Sequence, residues 1–240
     1  MKIMIIRHGE PDNPNQTLTK KGFEEVKALS EMYKDYPFDE MYSSPLARAK
    51  LTAEAVLSPN NKKAIIVDWL KEFYHPVINP KTGEEMFNWD FKPSFFTSQE
   101  EFYHPDQYLK SEIMKSGNVE KEYLKVVEEF DKVLAKNGYV REGNYYRVEN
   151  ANRKTIVFFC HFAMMSVLMS HLMGIPYVLI AQMFACAPTG VTVFNSEERE
   201  KGIAQFRCSR YGDISHLRLA NQEPSFHARF CEIFDSDERH

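Results

Sequence analysis

A chain of 240 residues with 43% hydrophobic and 13% aromatic residues can build a sizeable core, which excludes disorder over most of its length and fits one α/β domain with insertions. Its 30 Lys and Arg against 34 Asp and Glu give a net charge of −4, which excludes a dedicated nucleic-acid binder, so an anion site here must be a local concentration of positive charge. Cys160, Cys186, Cys208 and Cys231 are widely spaced with no C-x-x-C pair, the pattern of free thiols in a reducing compartment rather than of a disulfide framework or a zinc site.

The first element is the apolar run Ile3-Met4-Ile5-Ile6, which stops abruptly at Arg7-His8-Gly9-Glu10. A short run rich in β-branched residues predicts a strand buried on both faces. Its carboxyl end then carries a fixed cation beside a titratable nucleophile, at the edge of an open α/β sheet where ligands bind. The run is too short for a signal-peptide core, and the expected location is cytoplasmic. Pro11 to Thr17 reads as a loop, and Thr19 as the N-cap of a helix whose inner face takes Phe23, Val26, Leu29 or Ser30, and Tyr33. Pro37 ends it. Phe38 to Tyr42 predicts a short strand that runs into a second helix start, Ser44-Pro45, read as N-cap and first-turn proline. That start places Arg48 on the first turn, where an arginine and a free serine hydroxyl at the positive end of the helix dipole suit an anion.

Ile65 to Val67 is a further short strand leading to Glu72. From Phe73 to Asn118 there is no sustained periodicity, yet the segment is crowded with aromatics from Phe73 to Tyr108 and punctuated by Pro76, Pro80, Pro93 and Pro105. So many rings need burial, which predicts an ordered insertion or lid over 73–118. Val119 to Lys136 resumes helical spacing, with Tyr123, Val126 or Val127, Phe130, and Val133 or Leu134 on one face and Gly138 as the stop. Tyr139 to Lys154 reads as a polar loop or hairpin, and Thr155 to Cys160 as a second buried strand ending in His161. Phe162 to Pro188 lacks Asp, Glu, Lys and Arg, but Gly174-Ile175-Pro176 breaks it and Ser166, Ser170, His171 and Gln182 interrupt its apolar surface; a buried helix–loop–helix is expected rather than a membrane span. Gly190 to Phe194 and Ile203 to Cys208 predict a hairpin at the sheet's edge, followed by a surface tail from Gly212 onward.

Two buried strands thus end in histidine, a third strand leads to a helix bearing Arg48, and a fourth element carries Glu72. In a parallel sheet these ends share an edge. Two guanidinium groups and two imidazoles suit a dianionic phosphoryl group, because the arginine fork pairs with phosphate oxygens two at a time and a neutral imidazole keeps one nitrogen free to attack phosphorus.

Arg7-His8-Gly9-Glu10, Ser43-Ser44-Pro45-Leu46-Ala47-Arg48-Ala49 with Thr52-Ala53-Glu54, then Leu70-x-Glu72, His161 and Ser215-His216-Leu217, in that order, resemble the motifs of the histidine phosphatase superfamily. The resemblance implies the phosphoglycerate-mutase-like fold: a three-layer α/β/α domain over 1–240 with a mostly parallel central sheet and the aromatic-rich lid inserted at 73–118. It implies that His8 forms a phosphohistidine, that Arg7, Arg48 and His161 hold the phosphoryl oxygens, and that Glu72 is the general acid and then the base, with Glu84 or Glu85 as alternatives. Neither metal nor other cofactor is called for. Asn13 or Asn15, Ser44, Phe162 and His75 are the candidate substrate contacts, and the expected partner is a small phosphorylated metabolite, with no nucleic acid and no membrane. The loop Pro11-Asp12-Asn13-Pro14-Asn15 lacks the Thr/Ser-x-x-Asn pattern of the glycolytic mutases, and the aspartate and second arginine of the acid phosphatase branch are missing. These departures favour a phosphomonoesterase over a phosphoglycerate-type mutase, with a catalytically silent phospholigand-binding member as the third reading. A lid of this composition favours an ester with an apolar or aromatic leaving group.

Overall fold

Which side chain of the first strand faces which way sets the layers of this protein. In the computed structural model, which describes residues 1–225, 227 and 233–235, the elements in chain order are β1 (Lys2–Arg7), β2 (Pro11–Asp12), β3 (Thr17–Leu18), α1 (Lys20–Tyr33), β4 (Glu40–Ser43), α2 (Ala47–Leu57), β5 (Ile65–Ile66), β6 (Val77–Ile78), β7 (Glu85–Met86), α3 (Pro93–Thr97), α4 (Glu112–Ser116), α5 (Val119–Lys136), β8 (Tyr139–Glu142), β9 (Tyr145–Val148), β10 (Thr155–Cys160), α6 (Phe162–Met173), α7 (Tyr177–Met183), β11 (Val191–Glu200), β12 (Ile203–Asp213) and α8 (Ser215–Leu219). Along β1, Ile3 and Ile5 join Ile156 and Phe158 in a core completed by α5, α6 and α7, whereas Met4 and Ile6 join Val157 and Phe159 against Leu29 of α1 and Val56 of α2. Both faces are covered, so the strand reads as an unbroken apolar run and the molecule as three layers.

The central sheet has the order β5-β4-β10-β1-β11-β12-β9-β8. β5, β4, β10 and β1 are parallel neighbours, and β11, β12, β9 and β8 follow by antiparallel pairing, so β12 and β8 again run in the sense of β1. Register decides which residues meet at the sheet's edge. Arg7 pairs with Cys160 and Phe159 with Ser43, and the next residues continue the alignment: His8 N donates to Cys160 O at 3.0 Å and Ser44 N to Phe159 O at 3.0 Å. Three strands therefore deliver His8, His161 and Ser44 to one edge.

Several sequence expectations need correction. Helix α1 begins as predicted, with Thr19 Oγ1 accepting from Gly22 N at 2.9 Å, but Phe23 is exposed. The buried face runs through Gly22, Val26, Leu29 and Tyr33, and the glycine that opens it leaves no hydrophobic mark in the sequence. Helix α2 starts at Ala47 with Leu46 as N-cap, not at Ser44, whose hydroxyl is used elsewhere. The β11–β12 hairpin lies inside the sheet rather than at its edge, because the β8–β9 hairpin pairs onto β12 through Ile203↔Arg147 and Ala204↔Tyr146. The expected surface tail instead forms α8, where His216 and Leu217 are buried against the body.

The segment 73–118 is ordered by its rings: Phe73, Phe91, Phe96, Phe102 and Tyr108 are buried in the same core as α6 and α7, while Tyr74 and Phe87 stay exposed. The charge-free stretch 162–188 divides into α6 and α7, ended by Gly174 in the left-handed region (φ +68°), and no described helix is long and apolar enough to cross a membrane. Cys160, Cys186 and Cys208 are unbridged; Cys231 lies outside the described residues.

Backbone meets backbone where β1 leaves the sheet. A Cβ on Gly9 would lie 2.8 Å from Val26 Cγ1, and one on Gly22 would lie 2.3 Å from Glu10 O. Close approach, not an unusual dihedral, is what requires glycine at both positions. Alanine favours a helix over glycine by about 1 kcal/mol, but a contact this short against a carbonyl oxygen costs about 1–3 kcal/mol or more. Gly22→Ala is therefore expected to destabilise the protein despite its better helix propensity, by roughly 1 kcal/mol or more in urea unfolding.

Candidate active site

At the edge set by β1, β10 and β4, His8 is buried and its ring is fixed by two contacts. Nδ1 lies 2.6 Å from Gly9 O; a carbonyl can only accept, so Nδ1 carries the proton and Nε2 keeps its lone pair. Arg48 Nε donates to that Nε2 at 3.1 Å. The His161 ring stands 5.0 Å from the His8 ring, centroid to centroid. His161 Nε2 is 2.8 Å from Ser44 Oγ, which accepts from Leu46 N at 3.2 Å, while His161 Nδ1 is buried with no partner among the described residues. Ser44 is thus spent on orienting His161 and on shaping the turn before α2. Arg48, on the first turn of α2, lines a cavity of about 180 Å³ with Asp12, Asn13, Gln16, Thr17, Leu46 and Ala47. A larger groove of about 460 Å³ along Lys50 to Ile66 contains none of these groups.

Arg7 donates through Nη1 to Cys186 O, its guanidinium sits 5.5 Å from the centre of the Phe162 ring, and its Nε is buried without a partner among the described residues. Burial lowers the pKa of Arg7 and of Arg48, yet a guanidinium keeps its proton. Both imidazoles shift in the same direction and give theirs up. Burial first, then His161, Arg7 and Arg48, push His8 well below its ordinary value; burial, Arg48 and Arg7 do the same to His161. The site therefore presents two permanent cations and two neutral rings.

Glu72 is held by the helix that His161 begins. Its Oε1 accepts from Ala163 N at 3.1 Å, Met164 N at 3.2 Å and Phe73 N at 3.1 Å, so it caps α6, and among the described residues no donor meets Oε2. Burial raises its pKa, against the pull of Arg7, the Met164 N–H, Arg48 and the Phe73 N–H. A carboxyl group held by one oxygen and inclined to keep a proton on the other can protonate a neighbour.

The structure brings Arg7, His8, Ser44, Arg48, His161, Phe162 and Glu72 together and leaves other sequence candidates aside. Asn13 lines the cavity with Arg48, whereas exposed Asn15 turns back to Asp12 at 2.8 Å. His75 packs edge-on against Phe73 at 4.8 Å, with its backbone N bonded to Asn88 Oδ1. Glu84 and Glu85 are exposed at the β6–β7 ribbon, Glu84 bonded to Thr82 and Glu85 to Tyr74. Among the described residues no group of three or more His, Cys, Asp or Glu side chains is arranged to hold a metal ion.

A supporting layer gave no sign of its role in the sequence, although Thr52 and His216 lie within motifs of the family resemblance. Thr52 Oγ1 accepts from Gly9 N at 3.0 Å and donates to Arg48 O at 2.8 Å, tying the loop after His8 to the helix that carries Arg48. Thr189 adopts φ +60°, a region unfavourable for a β-branched residue, and its N–H lies 3.1 Å from both Arg7 O and His8 O. Buried His216 holds Thr189 in place through Nε2 to Oγ1 at 2.8 Å. The hydroxyl of Thr189 donates to Pro188 O, so Nε2 of His216 is the donor.

Burial lowers the His216 pKa from its ordinary 6.5 to about 4. The unfolded chain then takes up this proton at higher pH than the folded one, so the stabilisation is complete above 6.5 and is lost as pH falls toward 4, a change of about 3 kcal/mol at most. Urea unfolding between pH 6.5 and 4 is expected to show a shallower loss of stability with acid for His216→Gln than for wild type; equal slopes would contradict the burial argument.

Comparison with known proteins gives a consistent picture. The profile of the histidine phosphatase superfamily, branch 1, matches residues 3–209. An adenosylcobalamin/alpha-ribazole phosphatase of Salmonella typhi is 31% identical over 83 residues, 31% of this chain and 41% of that relative, so the match spans less than half of the relative's length. A phosphoserine phosphatase from Entamoeba histolytica, solved with phosphoserine, superposes with a TM-score of 0.56 at 20% identity, covering 90% of this chain and 98% of that one. The alpha-ribazole phosphatase from Shigella flexneri gives 0.55 at 18% identity, covering 89% and 97%. A mycobacterial glucosyl-3-phosphoglycerate phosphatase with inorganic phosphate gives 0.56 at 15% identity, covering 90% and 98%. At these identities the structural likenesses establish the fold.

Proposed function

The chain belongs to the histidine phosphatase superfamily, and on that premise we propose that it is a metal-independent phosphomonoester hydrolase acting through a phosphohistidine at His8 on a small phosphorylated metabolite. The observation that carries this reading is the state of the His8 ring: Nδ1–H is committed to Gly9 O, and the Nε2 lone pair is held beside Arg48. The phosphoryl group enters the cavity at Arg48 and takes over that arginine's donor. Arg7 and Arg48 pair with its oxygens, as does Nδ1–H of His161 in the tautomer whose Nε2 accepts from the Ser44 hydroxyl, and the fixed positive charge stabilises the transition state. Nε2 of His8 attacks phosphorus, the ester bond breaks, and the leaving oxygen takes the proton of Glu72. In the second half, the Glu72 carboxylate removes a proton from water as it attacks phosphohistidine, which releases phosphate and restores both groups. The relatives' names, which speak of alpha-ribazole, phosphoserine and glucosyl-3-phosphoglycerate, support a small monoester as substrate. The unbridged Cys160, Cys186 and Cys208 suit a cytoplasmic setting.

Treatment with a chelator is expected to leave hydrolysis of a panel of phosphate esters unchanged, and His8→Ala to reduce kcat/KM by roughly a thousandfold or more. Wild type and His8→Ala hydrolysing at equal rates would overturn the mechanism.

Activity requires His8 neutral and Glu72 protonated. The lowered His8 pKa moves the acid limb of kcat/KM below 6.5, and the raised Glu72 pKa moves the alkaline limb above 4.5. Glu72→Gln is expected to slow hydrolysis of alkyl phosphates by about 10²–10⁴-fold and to abolish the alkaline limb. Its effect on kcat/KM for p-nitrophenyl phosphate, which reports phosphoryl transfer to His8 and whose leaving group needs no proton, should be much smaller. An equal loss on both esters would remove Glu72 from the acid role.

A further inference from the structure

From the guanidinium of Arg7 a chain of aromatic rings runs outward to solvent. Phe162 lies under the guanidinium at 5.5 Å and is 7% exposed. Trp89 meets Phe162 edge-on at 5.8 Å, Phe87 follows at 5.4 Å, and Tyr74 at 5.2 Å from Phe87. The inner ring is buried and the two outer ones are open to solvent, 48% exposed at Phe87 and 45% at Tyr74. This is unlike the other rings of segment 73–118, most of which face the core.

Both ends of the series are tied to the chemistry. The inner end covers Arg7, and Phe162 directly precedes the two residues whose N–H groups hold Glu72. The outer end, Tyr74, is two residues beyond Glu72 on the same segment, whose first N–H also holds the Glu72 carboxyl. A general acid stands on the side of the leaving group, since it must reach the leaving oxygen. An apolar surface that begins at the phosphoryl grip and passes the acid therefore lies where the remainder of the ester extends. Rings at 5–6 Å with tilted or edge-on geometry offer faces and edges to a further ring. The outer end also carries Glu85, whose Oε1 accepts from the Tyr74 hydroxyl at 3.5 Å, which disfavours an anionic group there.

We propose that Phe162, Trp89, Phe87 and Tyr74 form the leaving-group subsite, and that it selects phosphomonoesters whose alcohol carries a neutral or cationic planar ring. This rests on the phosphatase reading above. The rings act by binding, so they raise kcat/KM for such esters without taking part in proton or phosphoryl transfer.

The test uses 2-naphthylmethyl, cyclohexylmethyl and ethyl phosphates, whose alcohols are all primary, so that differences report contact rather than leaving-group chemistry. Wild type is expected to favour the naphthylmethyl ester over the cyclohexylmethyl ester by roughly tenfold in kcat/KM, each rate being normalised to ethyl phosphate. Phe87→Ala and Tyr74→Ala, which truncate exposed rings and spare the core, should each lower that preference by about fivefold. Normalisation to ethyl phosphate cancels any loss of folded enzyme. Hydrolysis of all three esters with no preference for the planar ring, or a preference unchanged in both variants, overturns the subsite and leaves the phosphatase reading standing. No turnover of any ester overturns the phosphatase reading itself.

Discussion

In-register parallel pairing of β1 with β10, and of β10 with β4, brings His8, His161 and Ser44 to one edge, and every other feature of the site depends on it. A slip of one residue in either pair would turn each side chain to the opposite face and place a charged or polar group in one of the two apolar layers. The layers forbid that slip: Ile3 and Ile5 are required by the core of α5 to α7, and Met4 and Ile6 by that of α1 and α2. Burial of apolar surface thus sets the relative heights of two histidines more than 150 residues apart in sequence.

The same burial fixes their charge. In a protein of net charge −4, two arginines are gathered beside two imidazoles and removed from water, and the cost falls on the groups able to release a proton. The histidines become neutral, which a nucleophile requires, while the arginines remain cationic and partly unpaired, as shown by the buried Nε of Arg7. Buried donors without partners are costly in a folded protein and gain most from an anion that satisfies them. Glu72 completes the balance by capping α6 with one oxygen, so the carboxyl group is anchored by the helix whose N-cap is His161.

Much of this was legible from residue order. The ends of β1 and β10 stand out because an apolar run stops at a polar group, and Arg48 was placed by the helix start around Pro45. Yet that start falls two residues later than Ser44-Pro45 suggests, because the serine hydroxyl serves His161 instead of the helix. The acid role of Glu72 came from the family resemblance, and its hold on α6 is a contact across 91 residues that no local pattern encodes. Thr189 and His216 went unassigned for the same reason: a threonine at φ +60° looks like any other threonine until the strand end it supports is known. Phe23 misled because Gly22, the first residue of the buried α1 face, contributes close approach rather than hydrophobicity.

All of these contacts converge on one nitrogen of one residue. The most direct test is to quench the enzyme rapidly during turnover of a phosphate-labelled ester, under alkaline conditions that preserve phosphoramidates, and to map the label by mass spectrometry and 31P NMR. Acid-labile phosphate on Nε2 of His8 is the predicted result. Label on Nδ1 of His8, on His161, or on no histidine while hydrolysis proceeds would contradict the account.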